Sequence, residues 1–174
     1  MHYSLAIIYN EEENYLDIDD IMDLYSEHKK VAPYRIYTRS EAIEKYRKFD
    51  NSDISDSEVW ALMSKGYPTD KDGNIYSICN PAGKWDFYDI GGRFENMLHL
   101  KSGEDVNCAR IKDIDFSRYE HFSTWAVITP DLLWHEKDWT ATDEQECEWN
   151  KNYFNEFIAN ENPNFYLIII DYHN

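Results

Sequence analysis

Two apolar runs near opposite ends of the sequence set the strongest limit on its fold. Tyr3-Ser4-Leu5-Ala6-Ile7-Ile8-Tyr9 forms one, and Phe165-Tyr166-Leu167-Ile168-Ile169-Ile170 forms the other. Each has the length and residue types of a strand. Each is also apolar at successive positions rather than at every second one, so its strand must be buried on both faces or covered by helices. Two central strands of one sheet are therefore expected, with the intervening chain built around them.

Helical spacing fills part of that interval. Ile18, Ile21, Met22, Leu24 and Tyr25 recur with helical period behind Asp17, Asp19 and Asp20, and Lys29 and Lys30 follow, which predicts a helix over 17–29. Thr38 with Glu41 forms a capping box ahead of a second helix over 39–49. Thr142 with Gln145 forms another, ahead of a stripe of Trp149, Tyr153, Phe154, Phe157 and Ile158. Between them, Asp72-Gly73 and Ser102-Gly103-Glu104 mark hairpin turns beside Ile75–Cys79, Phe94–Leu100 and Val106–Ile111. Thr124–Ile128 and Leu132–His135 read as further strands. The 174 residues suffice for one disulfide-free domain. The expected architecture is α+β: a single domain over 1–174, with a largely antiparallel sheet and about three helices packed on it.

The formal charge of −17 and the excess of 34 acidic over 17 basic residues argue against direct nucleic-acid binding, which requires clustered Lys and Arg. The acids gather at Glu11–Glu27, Asp50–Glu58 and Asp131–Glu161, so the field is lopsided and favours association with basic partners. The same acidity also serves solubility. Cys79, Cys108 and Cys147 are odd in number and widely spaced, as expected of free thiols in a reducing cytoplasm. The first residues lack the pattern of a signal peptide and no apolar run approaches ~18 residues, which predicts a soluble cytoplasmic protein without a membrane partner.

The densest cluster of unusual residues is Asn80-Pro81-Ala82-Gly83-Lys84-Trp85-Asp86-Phe87-Tyr88-Asp89-Ile90-Gly91-Gly92-Arg93-Phe94. Adjacent glycines sacrifice entropy and packing, and so mark a sharp turn or a close approach. One reading has Lys84, Arg93 and the Gly91 and Gly92 amides converging on an anion. The other has a glycine bulge with Arg93 paired to Asp86 or Asp89 inside the fold. Asp70-Lys71-Asp72-Gly73-Asn74 has the wrong spacing for a calcium loop, zinc spacing is lacking, and no Walker, nucleophile-elbow or dinucleotide motif occurs. The sequence therefore calls for no cofactor and names no catalytic residue. On the third helix Asp143, Glu144, Glu148 and Glu156 form an outward carboxylate ladder, either a solvated face or a mimic of nucleic-acid phosphates that binds a basic groove.

Two resemblances follow from these residues. His2-Tyr3-Ser4-Leu5 and His121-Phe122-Ser123-Thr124 resemble the paired elements of the 2H phosphoesterases, whose two histidines act as general acid and base. That implies a phosphorylated small molecule bound near Lys84, Arg93 and His121. The run from Asn80 to Phe94, with Tyr37–Ala42, Asp113–Phe116, Thr124–Val127 and Ile170–His173 in that order, resembles an uncharacterised family of phage and mobile-element proteins. This chain departs from that family after Glu136, where an acidic helix follows. The second resemblance, joined to the charge, implies a non-enzymatic inhibitor of host defence, similar to anti-CRISPR proteins. Its partner would be a basic host protein such as a CRISPR effector or another nuclease.

Overall fold

The computed structural model describes residues 1–10, 17–50 and 53–174. Glu11, Glu12 and Glu13 of the first acidic block, and residues 51–52 of the second, lie outside the described residues. The fold is α+β with mostly antiparallel pairing. It forms two compact units, one from residues 1–26 and 84–174, the other from 27–83.

In the larger unit the two apolar runs are neighbours. β1 (His2–Tyr9) pairs antiparallel with β10 (Tyr166–His173) over eight registered pairs, from His2↔His173 to Tyr9↔Tyr166. β8 (Ala126–Ile128) lies parallel to β1 and is followed by antiparallel β9 (Trp134–Glu136). The far edge of β10 is shared by β4 (Phe87–Ile90) and β7 (Cys108–Arg110). Both sheet faces are buried, as uninterrupted apolar runs require. Ala6, Ile8, Val127, Leu167 and Ile169 face one core, sealed by Tyr153, Phe157 and Ile158. Leu5, Ile7, Ile128, Ile168 and Ile170 face the other, closed by Ile21 and Met22. Each such isoleucine contributes about 1.5–3 kcal/mol by leaving water.

α4 (Asp143–Phe157) starts at the Thr142–Gln145 capping box that its sequence announces. α1 (Ile18–Asp23) is shorter than expected, stopping at Leu24 rather than reaching residue 29. Tertiary bonds take over there. Tyr25 donates its hydroxyl to the Leu132 carbonyl at 2.5 Å, its own carbonyl accepts from the Lys84 amide at 2.7 Å, and Ser26 bridges to Trp85. These contacts outweigh the local helical preference of the residues that follow.

The smaller unit pairs β2 (Lys30–Tyr37) with β3 (Ile75–Cys79), beside α2 (Arg39–Phe49) and α3 (Asp56–Met63). α2 matches the expected span. β2 and α3 have no counterpart in the sequence reading, although Ser55 and Glu58 form a capping box as complete as that of Thr38 and Glu41. The described residues thus hold four α-helices rather than three.

The glycine pair follows β4. Gly91 and Gly92 have φ of +73° and +48°, and Gly92–Phe94 forms one 3₁₀ turn. A methyl group on Gly92 would sit 2.5 Å from Cβ of Asp171 on β10. Gly103 also has positive φ, +95°, but opens onto empty space. Urea denaturation should therefore separate the two. Gly92→Ala is expected to cost about 2–4 kcal/mol through combined strain and overpacking, and Gly103→Ala about 1 kcal/mol through backbone strain alone. Equal losses would show that the contact with Asp171 is not what demands glycine.

Candidate functional site

β10 is buried from Leu167 to Tyr172, and Asp171 is the one acid in that stretch, 4% exposed. A buried carboxylate needs hydrogen-bond donors. Oδ1 pairs with Nδ1 of His2 at 2.9 Å, and Oδ2 accepts from the Arg93 backbone amide at 3.0 Å. The anion that the Gly-Gly-Arg turn approaches is thus the protein's own Asp171. Gly92 permits the approach and the Arg93 amide completes it. The expected pairing of Arg93 with Asp86 or Asp89 does not form. The Arg93 side chain is exposed, and Asp86 instead bonds His173 at 2.7 Å. The rings of His2 and His173 meet edge to face at 5.3 Å.

Lys84, Gly91, Gly92, Arg93 and His121 do not form one anion site. Lys84 donates to Oε1 of Glu136 at 2.6 Å, while Oε2 of the same carboxylate accepts from the Trp134 indole at 2.9 Å. Gly91 packs against Asn107. His121 is exposed and lines a cleft with Phe116, Tyr119, Lys151 and Phe154. The two His-x-Ser patterns are brought together only in part. Because β1 and β8 run parallel, the segments that enter them lie side by side, and Ser4 Oγ accepts from the Trp125 amide at 3.1 Å. Phe122, 3% exposed, turns into the core, and His121 lines a different cleft from the one that holds His2 and Ser4. His2 and His121 thus border separate clefts.

What does form is a cleft of about 240 Å³ whose walls include His2, Ser4, Phe94, Ser123, Trp125 and Lys137. Ser123 donates to Oδ1 of Asn150 at 2.8 Å. Lys137 lies over the Trp125 ring at 5.6 Å, a cation–π contact. Burial pushes the Lys137 ammonium below its ordinary pKa, against the opposing influence of Glu146. Sequence reasoning singled out His2 but not Asp171 or Lys137. The available signal was a lone acid in an otherwise apolar terminal run.

α4 carries the other candidate surface. Trp149, Tyr153 and Phe157 face inward, and the Trp149 indole donates to the Thr124 carbonyl at 2.9 Å. Asp143, Glu144, Glu148 and Glu156 are exposed, and among the described residues none of the four forms an ion pair. Glu156 also borders a cleft of about 460 Å³ with Asp131, His135, Phe157 and Glu161. Among the described residues no group of three or more His, Cys, Asp or Glu side chains could hold a metal, and no helix is long and apolar enough to cross a membrane. Among the described residues Cys79, Cys108 and Cys147 form no disulfide. No family profile, curated protein or solved structure matches the chain.

Desolvation, and then the charge of Asp131, raise the Glu161 carboxyl above its ordinary value of 4.5. An acid whose pKa is raised by folding favours the native state below its unfolded pKa, and that contribution is lost as pH rises through the folded value. Glu161→Gln should therefore raise the thermal midpoint relative to the parent at pH 7, and the gain should shrink towards pH 4. A gain that is constant across this range would assign the effect to packing rather than charge.

Proposed function

We propose that the protein is a non-enzymatic, phage-type inhibitor that occupies a basic, nucleic-acid-handling surface on a host protein such as a CRISPR effector or another defence nuclease. The observation that carries this reading is the outer face of α4. Among the described residues Asp143, Glu144, Glu148 and Glu156 stand exposed and without ion pairs, on a helix anchored by Trp149, Tyr153 and Phe157.

Glu144 and Glu148 are four residues apart, a like-charge spacing that destabilises a helix by about 0.2–0.5 kcal/mol per pair. Only Lys151 offers a basic residue within α4. Glu144 and Glu148 lie on the outward side beside Lys151, with Asp143 and Glu156 at its flanks, so α4 presents an excess of negative charge to a partner that grips phosphates. The net charge of −17 extends the attraction and speeds encounter. The likeness of the 80–94 signature to phage and mobile-element proteins supplies the setting.

Surface plasmon resonance against a purified candidate nuclease tests the reading, with the combined variant Glu144→Lys, Glu148→Lys and Glu156→Lys beside the parent. The variant is expected to keep its thermal midpoint and to bind at least about 100-fold more weakly, and the parent affinity should fall steeply between low and physiological salt. Binding that is indifferent both to salt and to these three substitutions would exclude an interface through α4.

A further inference from the structure

The cleft beside His2 is independent of the acidic helix face. None of its lining residues is an acid, in a chain of net charge −17. The cleft at Asp131, Glu156 and Glu161 is bordered by three carboxylates, and the one at His121 includes Glu120. At the His2 cleft the polar groups are a lysine, an imidazole and hydroxyls.

We propose that this cleft binds an oxyanion of the phosphate or phosphate-ester class, with Lys137 as its cation, the Ser4 hydroxyl and Nε2 of His2 as its directional partners, and Asp171 holding the His2 ring in place. Each role follows from an occupied bond. His2 Nδ1 is engaged by Asp171, which leaves Nε2 to donate when the ring is protonated or to accept from a P–OH group when it is neutral. Ser4 Oγ already accepts from the Trp125 amide, so its proton is free to donate. Both oxygens of Asp171 are engaged, one by His2 and one by the Arg93 amide. Lys137 is half-buried over Trp125, so water screens its charge less than it would that of an exposed lysine. Glu146 is the acid that acts on Lys137 and opposes the anion.

Two lining residues, Tyr3 and Trp125, each carry a buried donor without a partner among the described residues, as Tyr172 does outside the cleft, and all three rings pack in the core beside Leu5 and Ile7. Tyr3 is 7% exposed, and its ring lies 5.0 Å from that of Trp125. Unpaired buried donors are uncommon in folded proteins.

The test is a titration of the full chain with inorganic phosphate at constant ionic strength, followed by the ring resonances of His2, with sodium chloride as the reference salt. Saturable shifts of His2 are expected. Lys137→Met should weaken the phosphate affinity about tenfold, while Lys151→Met, the same charge change beside the His121 cleft, should leave it unchanged. Shifts that rise linearly without saturating, or equal losses in the two lysine variants, overturn the proposal in favour of diffuse charge attraction. If Lys137→Met lowers the thermal midpoint enough to unfold the protein, Ser4→Ala decides the matter. An affinity reduced severalfold supports the site, and an unchanged affinity overturns it. The site and the α4 interface use different residues, so either can fail while the other stands.

Discussion

The antiparallel ladder between β1 and β10 is the constraint on which the larger unit depends. It joins residues more than 150 positions apart, so the closure entropy of a long loop must be met before its contacts contribute anything. Eight continuous pairs of mostly apolar residues, buried on both faces, meet that cost. Every other strand of this sheet is placed by pairing with one of these two, directly or through β8. The small size of β4, β7, β8 and β9, each of three or four residues, follows from that support. Strands so short are marginal alone, and they are ordered here because they lie against a central pair that is already fixed.

Asp171 is the exception within the ladder and explains several features around it. Its register partner is Ser4, which puts a carboxylate on the face that also carries His2, near the open end of the sheet. Burying that charge demands donors from outside the ladder, and the Gly91-Gly92-Arg93 turn delivers one while His2 delivers the other. Truncating one partner of such an arrangement leaves a buried charge uncompensated, which costs more than the pairing itself contributes. The glycine pair, the N-terminal histidine and the acid of the last strand are thus one structural unit whose members lie far apart in sequence. The cleft beside it inherits a fixed imidazole as a consequence.

Which parts of this were legible in the sequence depends on the range of the forces involved. The terminal strands, α2 and α4 were readable because local pattern and tertiary role agree there. Continuous apolar runs, complete capping boxes and an aromatic stripe all point the same way. α1 was overextended because Tyr25 and Ser26 are claimed by Leu132, Lys84 and Trp85, partners that no local window contains. α3 has no counterpart in the sequence reading because Glu58, the acid of its capping box, reads as part of the acidic block Asp50–Glu58. The exposure of Glu144 and Glu148 follows from helical phase, that of Glu156 beside Phe157 does not, and the His2–Asp171 pair could not be read, because strand register alone sets it. Arg93 shows the same limit. Its side chain suggested an ion pair, but the fold uses only its backbone amide.

The distribution of cations decides how the acidic surface acts. Arg39 lies over Trp60, Lys45 over Tyr37, Arg110 over Tyr166 and Lys137 over Trp125. Lys84, Arg47, Lys48 and Arg118 are engaged by Glu136, Asp56, Glu44 and Asp105. Eight of the 17 basic residues are thereby held against aromatic faces or single carboxylates. A solubility surface gains by interspersing both signs of charge, whereas α4 sets Asp143, Glu144, Glu148 and Glu156 against Lys151 alone. The excess of carboxylates over Lys151 gives α4 a net negative local field on a helix whose aromatic stripe packs into the core, and a local field of that kind favours association with basic surfaces.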